Sequence, residues 1–363
     1  MTNSKVFEKL EKMCEKVLKV VQQFELILIC NTRSKTKSTN GINISMANEH
    51  EFFSDEEFSE VFRGIAASGL FYIRTYYNEI DFIRDFVEGH IDQKNSLIYN
   101  LARNGNSSGK KSLIPSLLSL LHTPYTGSNS FVISLCREKY IYSSFLSQQG
   151  FPVPETFLYL GNGEWMNNKI PTHGIYIIKA VNESASIGLT ASNVITIQEC
   201  EDFDFEKRSG IFPPFLVQQF IDGTECEVPL LHIGDLGMCA LDPVGLSIEN
   251  DSQILSYDIS QRDAYGFYML EKTIDPSICK EIKEISEKVA KTLGMSNYGR
   301  IDFRISSEKK PYIIDIAASP YTTKHSSFAY TLERDNIEYH NLYKYIICDA
   351  FNTFIEKEKS NQR

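Results

Sequence analysis

Tyr298-Gly-Arg300-Ile-Asp302-Phe303, followed after a polar turn by Tyr312-Ile-Ile-Asp315-Ile-Ala317-Ala-Ser-Pro320, is the stretch from which the fold can be argued. Two short β-rich runs, Arg300–Ile305 and Tyr312–Ile316, predict a hairpin. Asp302 and Asp315 then fall on neighbouring strands, each inside an otherwise apolar segment. Carboxylates so placed are costly to bury unless a cation neutralises them. A Mg²⁺ ion shared by both, with phosphate oxygens in its remaining positions, would do so. An ion pair of one carboxylate with Arg300, the other facing solvent, would also do so, and the pattern alone leaves both open.

Upstream lie two segments of similar character. In Ile175-Tyr-Ile-Ile-Lys179-Ala-Val-Asn-Glu183-Ser-Ala-Ser186-Ile-Gly188 a lysine ends a β run and a loop of small residues follows. That suits a cation reaching phosphate beneath a flap, or simply a solvated lysine. In Phe215-Leu-Val-Gln218-Gln219-Phe220-Ile221-Asp222-Gly223-Thr-Glu225 a strand and turn lead to an acid. That acid could take a ribose hydroxyl, or the segment is a plain hairpin with a surface glutamate. Gly105-Asn-Ser-Ser-Gly109-Lys110-Lys111-Ser112 imitates a phosphate-binding P-loop. It is one residue short, and Lys111 intrudes before the hydroxyl that Mg²⁺ requires. The helix expected over Lys111–Leu121 still offers an anion-facing N-terminus.

Further out, Val6, Phe7, Leu10, Met13, Val17, Leu18 and Val21 recur at helical spacing, and Leu26–Cys30 reads as a buried strand. The polar stretch Asn31–Asn48 reads as a mobile loop. Strand, helix and strand are expected at Leu70–Thr75, Ile80–Glu88 and Ser96–Leu101, so residues 1–128 suggest an α/β unit with a parallel sheet. One helix is expected over Ile133–Gln149, stopped by Gly150, Pro152 and Pro154. Then come β-rich runs at Thr156–Leu160, Gly174–Lys179, Phe215–Phe220 and Glu227–Ile233. Pro276–Leu293 is expected as a helix with Asp275 as N-cap, and Tyr339–Glu356 as a closing helix.

The 363 residues allow two or three compact units. A net charge of −10, without a basic stripe, argues against nucleic acid as a partner. No run approaches the roughly 18 apolar residues of a membrane span, so no membrane partner is expected. Eight scattered cysteines, none in a CxxC pair, suggest reduced thiols in a cytoplasmic protein.

Taken in order, these segments resemble the D-alanine–D-alanine ligase branch of the ATP-grasp superfamily. The likeness runs from about Ile98 to Ala350. Pro124-Tyr-Thr-Gly-Ser128, Lys139, Gly150-Phe-Pro-Val-Pro154, Gly299-Arg-Ile-Asp302, Asp315-Ile-Ala-Ala-Ser-Pro320, His325-Ser326 and Asn336-Ile-Glu-Tyr-His-Asn-Leu342 carry it.

The resemblance implies an α/β (α+β) ATP-grasp fold: an N-terminal parallel-sheet domain over 1–128, and two α+β subdomains, 129–212 and 213–363, that clasp ATP. It implies that Lys139 and Lys179 contact ATP phosphates beneath a flap carrying Glu183 and Ser186. Gln218, where the family usually has Glu, would face adenine, with Gln219, Phe220 and Ile221 lining the base pocket and Glu225 on the ribose. Asp302 and Asp315 would hold Mg²⁺, Arg300 would stabilise an oxyanion, and Ser326 would hold the carboxylate of the amine-donating substrate. The implied reaction is ADP-forming: a carboxylate, most readily that of an amino acid, becomes an acyl phosphate, and an amine attacks it to give an amide or peptide bond. Small amino-acid or peptide-like substrates and a homodimer are implied as partners.

Several family positions differ. The His and acid of the first-domain motif stand as Ala102 and Ser107, the flap serine as Ala185, and the metal-binding Asn as Ala317, with Glu shortened to Asp315. The N-terminal motif serving the first substrate's amine is not recognisable around Asn31–Ser38. The losses fall on first-substrate machinery while Lys139, Lys179, Arg300 and Asp302 remain. That pattern favours a ligase with another acyl substrate. The other readings are a D-alanine–D-alanine ligase with a rebuilt pocket and a degenerate nucleotide-binding regulatory protein.

Overall fold

The computed structural model describes residues 1–36, 49–69, 72–105, 107–184, 186–198, 205, 207 and 210–361. Most of the polar stretch read as a mobile loop, and Ala185, lie outside the described residues.

The first unit opens with helix α1 (Asn3–Val21) and strand β1 (Glu25–Cys30). Val6, Phe7, Leu10, Met13, Cys14, Val17 and Val21 all turn to the core, which is the face their spacing dictates. Helix α2 (Asp55–Ala67) starts at a capping box in which Ser54 and Glu57 bond each other's backbone N–H. Strand β2 (Ile73–Tyr76), helix α3 (Glu79–Val87), strand β3 (Ser96–Leu101) and helix α4 (Leu113–Leu120) follow. The sheet is parallel, as expected, and its strand order is β2-β1-β3. Asn31, expected in the loop, is instead fully buried; its amide oxygen accepts from the backbone N–H of Arg103 at 2.6 Å.

The single helix expected over Ile133–Gln149 is two: α5 (Ser130–Arg137) and α6 (Lys139–Gln148). Glu138 leaves helical geometry between them, and the Lys139 N–H goes to the Val181 carbonyl instead of the preceding turn. A tertiary hydrogen bond thus overrides an uninterrupted helical pattern. Strands β4 (Thr156–Gly161), β5 (Glu164–Trp165), β6 (Gly174–Ala180), β7 (Val194–Ile197) and β8 (Phe215–Gln219) make an antiparallel sheet in the order β5-β4-β8-β6-β7.

The largest sheet contains β9 (Gly223–His232), β10 (Met238–Ala240), β11 (Val244–Ile248), β12 (Tyr265–Met269), β13 (Tyr298–Ser306) and β14 (Pro311–Ala317). Its order is β12-β11-β9-β13-β14, with β10 also on β9. Helix α7 (Tyr257–Gln261) lies between β11 and β12. Helix α8 (Pro276–Leu293) has the expected Asp275 cap and ends on left-handed Gly294. Helices α9 (Ser327–Arg334) and α10 (His340–Asn361) complete the chain. One core unites α1, α2, α10 and the parallel sheet, and another lies between the largest sheet and α5, α6 and α8.

Because β8 and β9 belong to different sheets, the segment around Glu225 is no hairpin. Residues 220–222 carry the chain from one sheet to the other. Gly223 makes the landing: its φ is +149°, and an added Cβ would collide with the Ile305 carbonyl.

Candidate functional site

A cavity of about 430 Å³ lies between the two antiparallel sheets and the carboxyl ends of the parallel strands. Lys139, Lys179, Glu183, Ser186, Gln218, Gln219, Phe220, Ile221, Glu225, Arg300, Asp302, Asp315 and Ser326 all line it.

Strand pairing explains one wall. Asp302 is the register partner of Asp315 on β14 and of Glu227 on β9, and residues opposite each other in a sheet share a face. Three carboxylates therefore stand in a row across three strands. Arg300 and Arg304, two residues either side of Asp302, share that face, as does Glu225 opposite Arg304. Arg300 clasps both oxygens of Asp302 through Nε and Nη2, at 2.7 and 2.8 Å, and approaches Glu227 at 3.2 Å. The ion pair that the sequence left open is thus formed, but Asp315 is not abandoned to solvent. It accepts from the Tyr142 hydroxyl at 3.0 Å and lies 3.8 Å from the Lys139 Nζ. Burial pushes the Asp302 carboxyl up against the pull of Arg300, with Glu227 adding to the rise. Burial acts likewise on Asp315, but Lys139, Lys179 and Arg300 hold it below its ordinary value. One Glu227 oxygen is buried without a hydrogen bond.

The opposite wall is the middle sheet. Ile177 pairs with Gln218, so Lys179, two residues on, shares a face with Gln218. Its Nζ donates to the Gln218 carbonyl oxygen at 3.1 Å, and the Gln218 amide donates to Thr156. Burial, with Lys139 nearby, pushes the Lys179 ammonium down to about 8 against the pull of Asp315. Lys139 opens α6 and donates to the Glu183 carbonyl at 2.6 Å. Arg304, its guanidinium 4.6 Å over the Phe220 ring and bonded to the Gly223 and Gln253 carbonyls, secures the crossover between sheets. Ser326 caps α9: its hydroxyl donates to the Thr323 carbonyl and accepts from the Ala329 N–H.

Sequence reasoning missed the most densely charged part. Glu51 is fully buried and meets Lys110 at 2.9 Å, Lys111 at 2.8 Å and Arg137 at 3.2 Å. Burial would raise its carboxyl, but Lys111, Arg137 and Lys110 together hold it far below the usual carboxylate range. Arg137 and Lys111 also donate to the Ser184 hydroxyl in the loop after β6, at 2.9 and 3.3 Å. The false P-loop lysines therefore face the protein's own carboxylate. No motif marks Glu51, and its partners are 59 and 86 residues away in sequence. Arg103 was missed for the same reason. Glu227 could have been found only from the β9–β13 register.

Residues 145–348 match the family model described as D-ala D-ala ligase C-terminus. The D-alanine–D-alanine ligase of Aquifex aeolicus is 24% identical over 244 residues, covering 66% of this chain and 78% of that relative. That of Wigglesworthia glossinidia brevipalpis is 28% identical over 254 residues, covering 66% and 68%. Among solved structures, the Bacillus anthracis D-alanine–D-alanine ligase complexed with ATP superposes with a TM-score of 0.65 at 14% identity, over 92% of this chain and 99% of that one. The Coxiella burnetii enzyme gives 0.65 at 16% identity, over 93% and 98%. Among the described residues no helix is long and apolar enough to cross a membrane.

Proposed function

This chain belongs to the family described as D-ala D-ala ligase C-terminus, and we propose that it is an ATP-dependent, ADP-forming ligase that joins a carboxylate to an amine in the cavity between its two antiparallel sheets. One observation carries the assignment of roles. The cations Lys139 and Lys179 and the carboxylates Asp302 and Asp315 converge on one cavity from different elements, with Arg300 beside them.

In this reading Lys139 and Lys179 bind the phosphates, and the loop holding Glu183 and Ser186 covers them and excludes water from the acyl phosphate. Gln218, Gln219, Phe220 and Ile221 receive the adenine and Glu225 the ribose. The Gln218 amide cannot act as the anion the family usually has there, so its carbonyl orients the Lys179 ammonium through a hydrogen bond to a neutral acceptor in place of an ion pair. Arg300 stabilises the oxyanion formed when the amine attacks. Ser326, the N-cap of α9, seats the carboxylate of the amine donor where the helix N-terminus favours negative charge, its hydroxyl turning to it from the Thr323 carbonyl.

The oxygen-only row of Asp302, Asp315 and Glu227 fits Mg²⁺, and the buried unpartnered Glu227 oxygen supports a cation there. Asp302 and Asp315 would hold it, with Glu227, opposite Asp302 on β9, offering a further oxygen donor where Ala317 offers none. When bound, the ion neutralises phosphate charge during transfer. The protein's own residues fix the geometry: Tyr142 orients Asp315, and Arg300 orients Asp302. The altered first-substrate positions favour an acyl donor other than D-alanine.

The test is coupled ADP release with Mg²⁺–ATP and pooled amino acids of both hands, with mass spectrometry of the products and Asp302→Ala as control. ADP release that depends on a particular pool, with a condensed product and none in the control, is expected. ATP binding with no ADP from any pool would overturn the reading.

A further inference from the structure

The loop after β6 is gripped at both ends, and both grips lead back to the first unit. At the near end the Arg137 Nη1 donates to the Ser184 hydroxyl at 2.9 Å, and its Nη2 to the Asn182 carbonyl at 2.5 Å. Lys111 reaches the same hydroxyl at 3.3 Å. Both cations stand on the Glu51 carboxylate, at 3.2 and 2.8 Å. At the far end the Leu189 carbonyl accepts from the Tyr257 N–H at 2.9 Å. The Tyr257 hydroxyl in turn shares a hydrogen bond with Nδ1 of His50. Two consecutive residues, His50 and Glu51, thus stand behind both ends of one loop.

That support is itself fixed. The Phe53 N–H donates to the Asn31 carbonyl and the Arg33 N–H to the Phe53 carbonyl, which ties the segment to the chain leaving β1. The Tyr321 hydroxyl, from the segment after β14, donates to the Glu51 carbonyl at 2.8 Å. One other tie holds the loop: Lys139, on the Glu183 carbonyl. The reaction scheme above gives Lys139 to phosphate, so nucleotide competes for it. Arg137 and Lys111 have no duty in that scheme, and their hold on Ser184 persists when nucleotide enters.

We propose that His50 and Glu51 are positioning residues that latch this loop over the transferred phosphoryl group, Glu51 through Arg137 and Lys111 on Ser184, His50 through Tyr257 on Leu189. The proposal rests on the ligase reading above. In that scheme neither residue touches the reacting atoms; what the latch controls is water. The γ-phosphoryl of ATP passes to the carboxylate, ADP forms, and the amine then displaces phosphate from the acyl carbon. Under a loose loop water attacks that carbon instead. The bond from the acyl carbon to the bridging oxygen breaks, the carboxylate returns, and inorganic phosphate and a proton are released. ATP is then spent with no amide formed.

The test measures ADP and amide together, with the productive substrate pair, in wild type, Ser184→Ala and Tyr257→Phe. Wild type is expected to release ADP and amide in equal amounts. Ser184→Ala removes the hydroxyl that two cations grip and leaves Glu51 and its buried partners in place. Its ADP release in excess of amide is expected to rise about tenfold, the factor that one hydrogen bond to a charged group supplies. Tyr257→Phe, which loses only the His50 bond, is expected to shift the same ratio in the same direction. Poor folding lowers the amount of active enzyme and leaves that ratio unchanged, so the ratio separates a latch from a purely structural role. Equal ADP and amide in Ser184→Ala would overturn the Glu51 arm, and in Tyr257→Phe the His50 arm. If no pool gives ADP, the ligase reading has failed, and hydrogen exchange over residues 181–189 decides the latch alone. Exchange about tenfold faster in Ser184→Ala than in wild type supports it, and an unchanged rate refutes it.

Discussion

Glu51→Gln should be among the most damaging single-atom-scale changes in this protein. Glu51 is 0% exposed, and Lys110, Lys111 and Arg137 around it are all buried. The four side chains carry three positive charges and one negative. Neutralising the carboxylate leaves Lys111 and Arg137 without a paired anion and Lys110 with only Glu183, at 3.7 Å. Removing one member of a buried ion pair typically costs about 3–5 kcal/mol, and three cations share this one, so a loss of about 4 kcal/mol is expected. Against the 5–15 kcal/mol by which domains are stable, that is a large fraction. Urea unfolding followed by intrinsic fluorescence measures it. The companion is Glu51→Gln with Lys111→Met, which returns the group to its original net charge and should recover about 2 kcal/mol as coupling energy. The pH dependence has a fixed sign. The folded carboxyl lies below its unfolded value, so its contribution is complete above the unfolded pKa of about 4.3 and fades as pH falls toward the folded one. The gap between wild type and variant must therefore narrow in acid. A loss under about 1 kcal/mol, no recovery in the double variant, or a gap that widens in acid would refute the reasoning.

Three further outcomes follow. Nucleotide affinity should weaken as pH rises through about 8, where Lys179, facing Asp315, Lys139, Glu225 and Arg304, loses its charge; a flat titration from pH 7 to pH 9.5 would count against its phosphate role. Gln218→Glu, which puts an anion against the Lys179 Nζ, should move that limb upward by about one unit, read from the same titration. Gly223→Ala should destabilise by about 3 kcal/mol or more in urea unfolding, since positive φ and the Ile305 carbonyl both oppose a Cβ.

What the sequence made legible were features written in local periods. The hairpin around Asp302 and Asp315 could be read because the two acids fall inside short β-rich runs joined by a polar turn, and α8 because its cap, first-turn proline and terminal glycine each have a local cause. The break at Glu138 could not be read, since the hydrogen bond that makes it comes from Val181, outside any helical window. Arg300 was legible as a residue and ambiguous as a role: the same strand spacing serves an oxyanion ligand and a partner for Asp302. The charged group at Glu51 and Arg103, buried against the Phe53 and Tyr321 rings, depend on residues far apart in the chain, and nothing in their immediate neighbours distinguishes them from surface charges.

The packing of α1 against α10 bears on how the protein is made. Glu11 in the first helix accepts from Lys344 and Tyr345 in the last, and Asn3 donates to Asp335 at 2.7 Å. The core they share runs from Val6 to Phe351. During synthesis the parallel sheet emerges early, but the face that α10 covers stays open until His340–Asn361 has itself left the ribosome. At 5–20 residues per second the wait is on the order of tens of seconds. Over that interval the nascent first unit is a natural client for a chaperone that holds apolar surface.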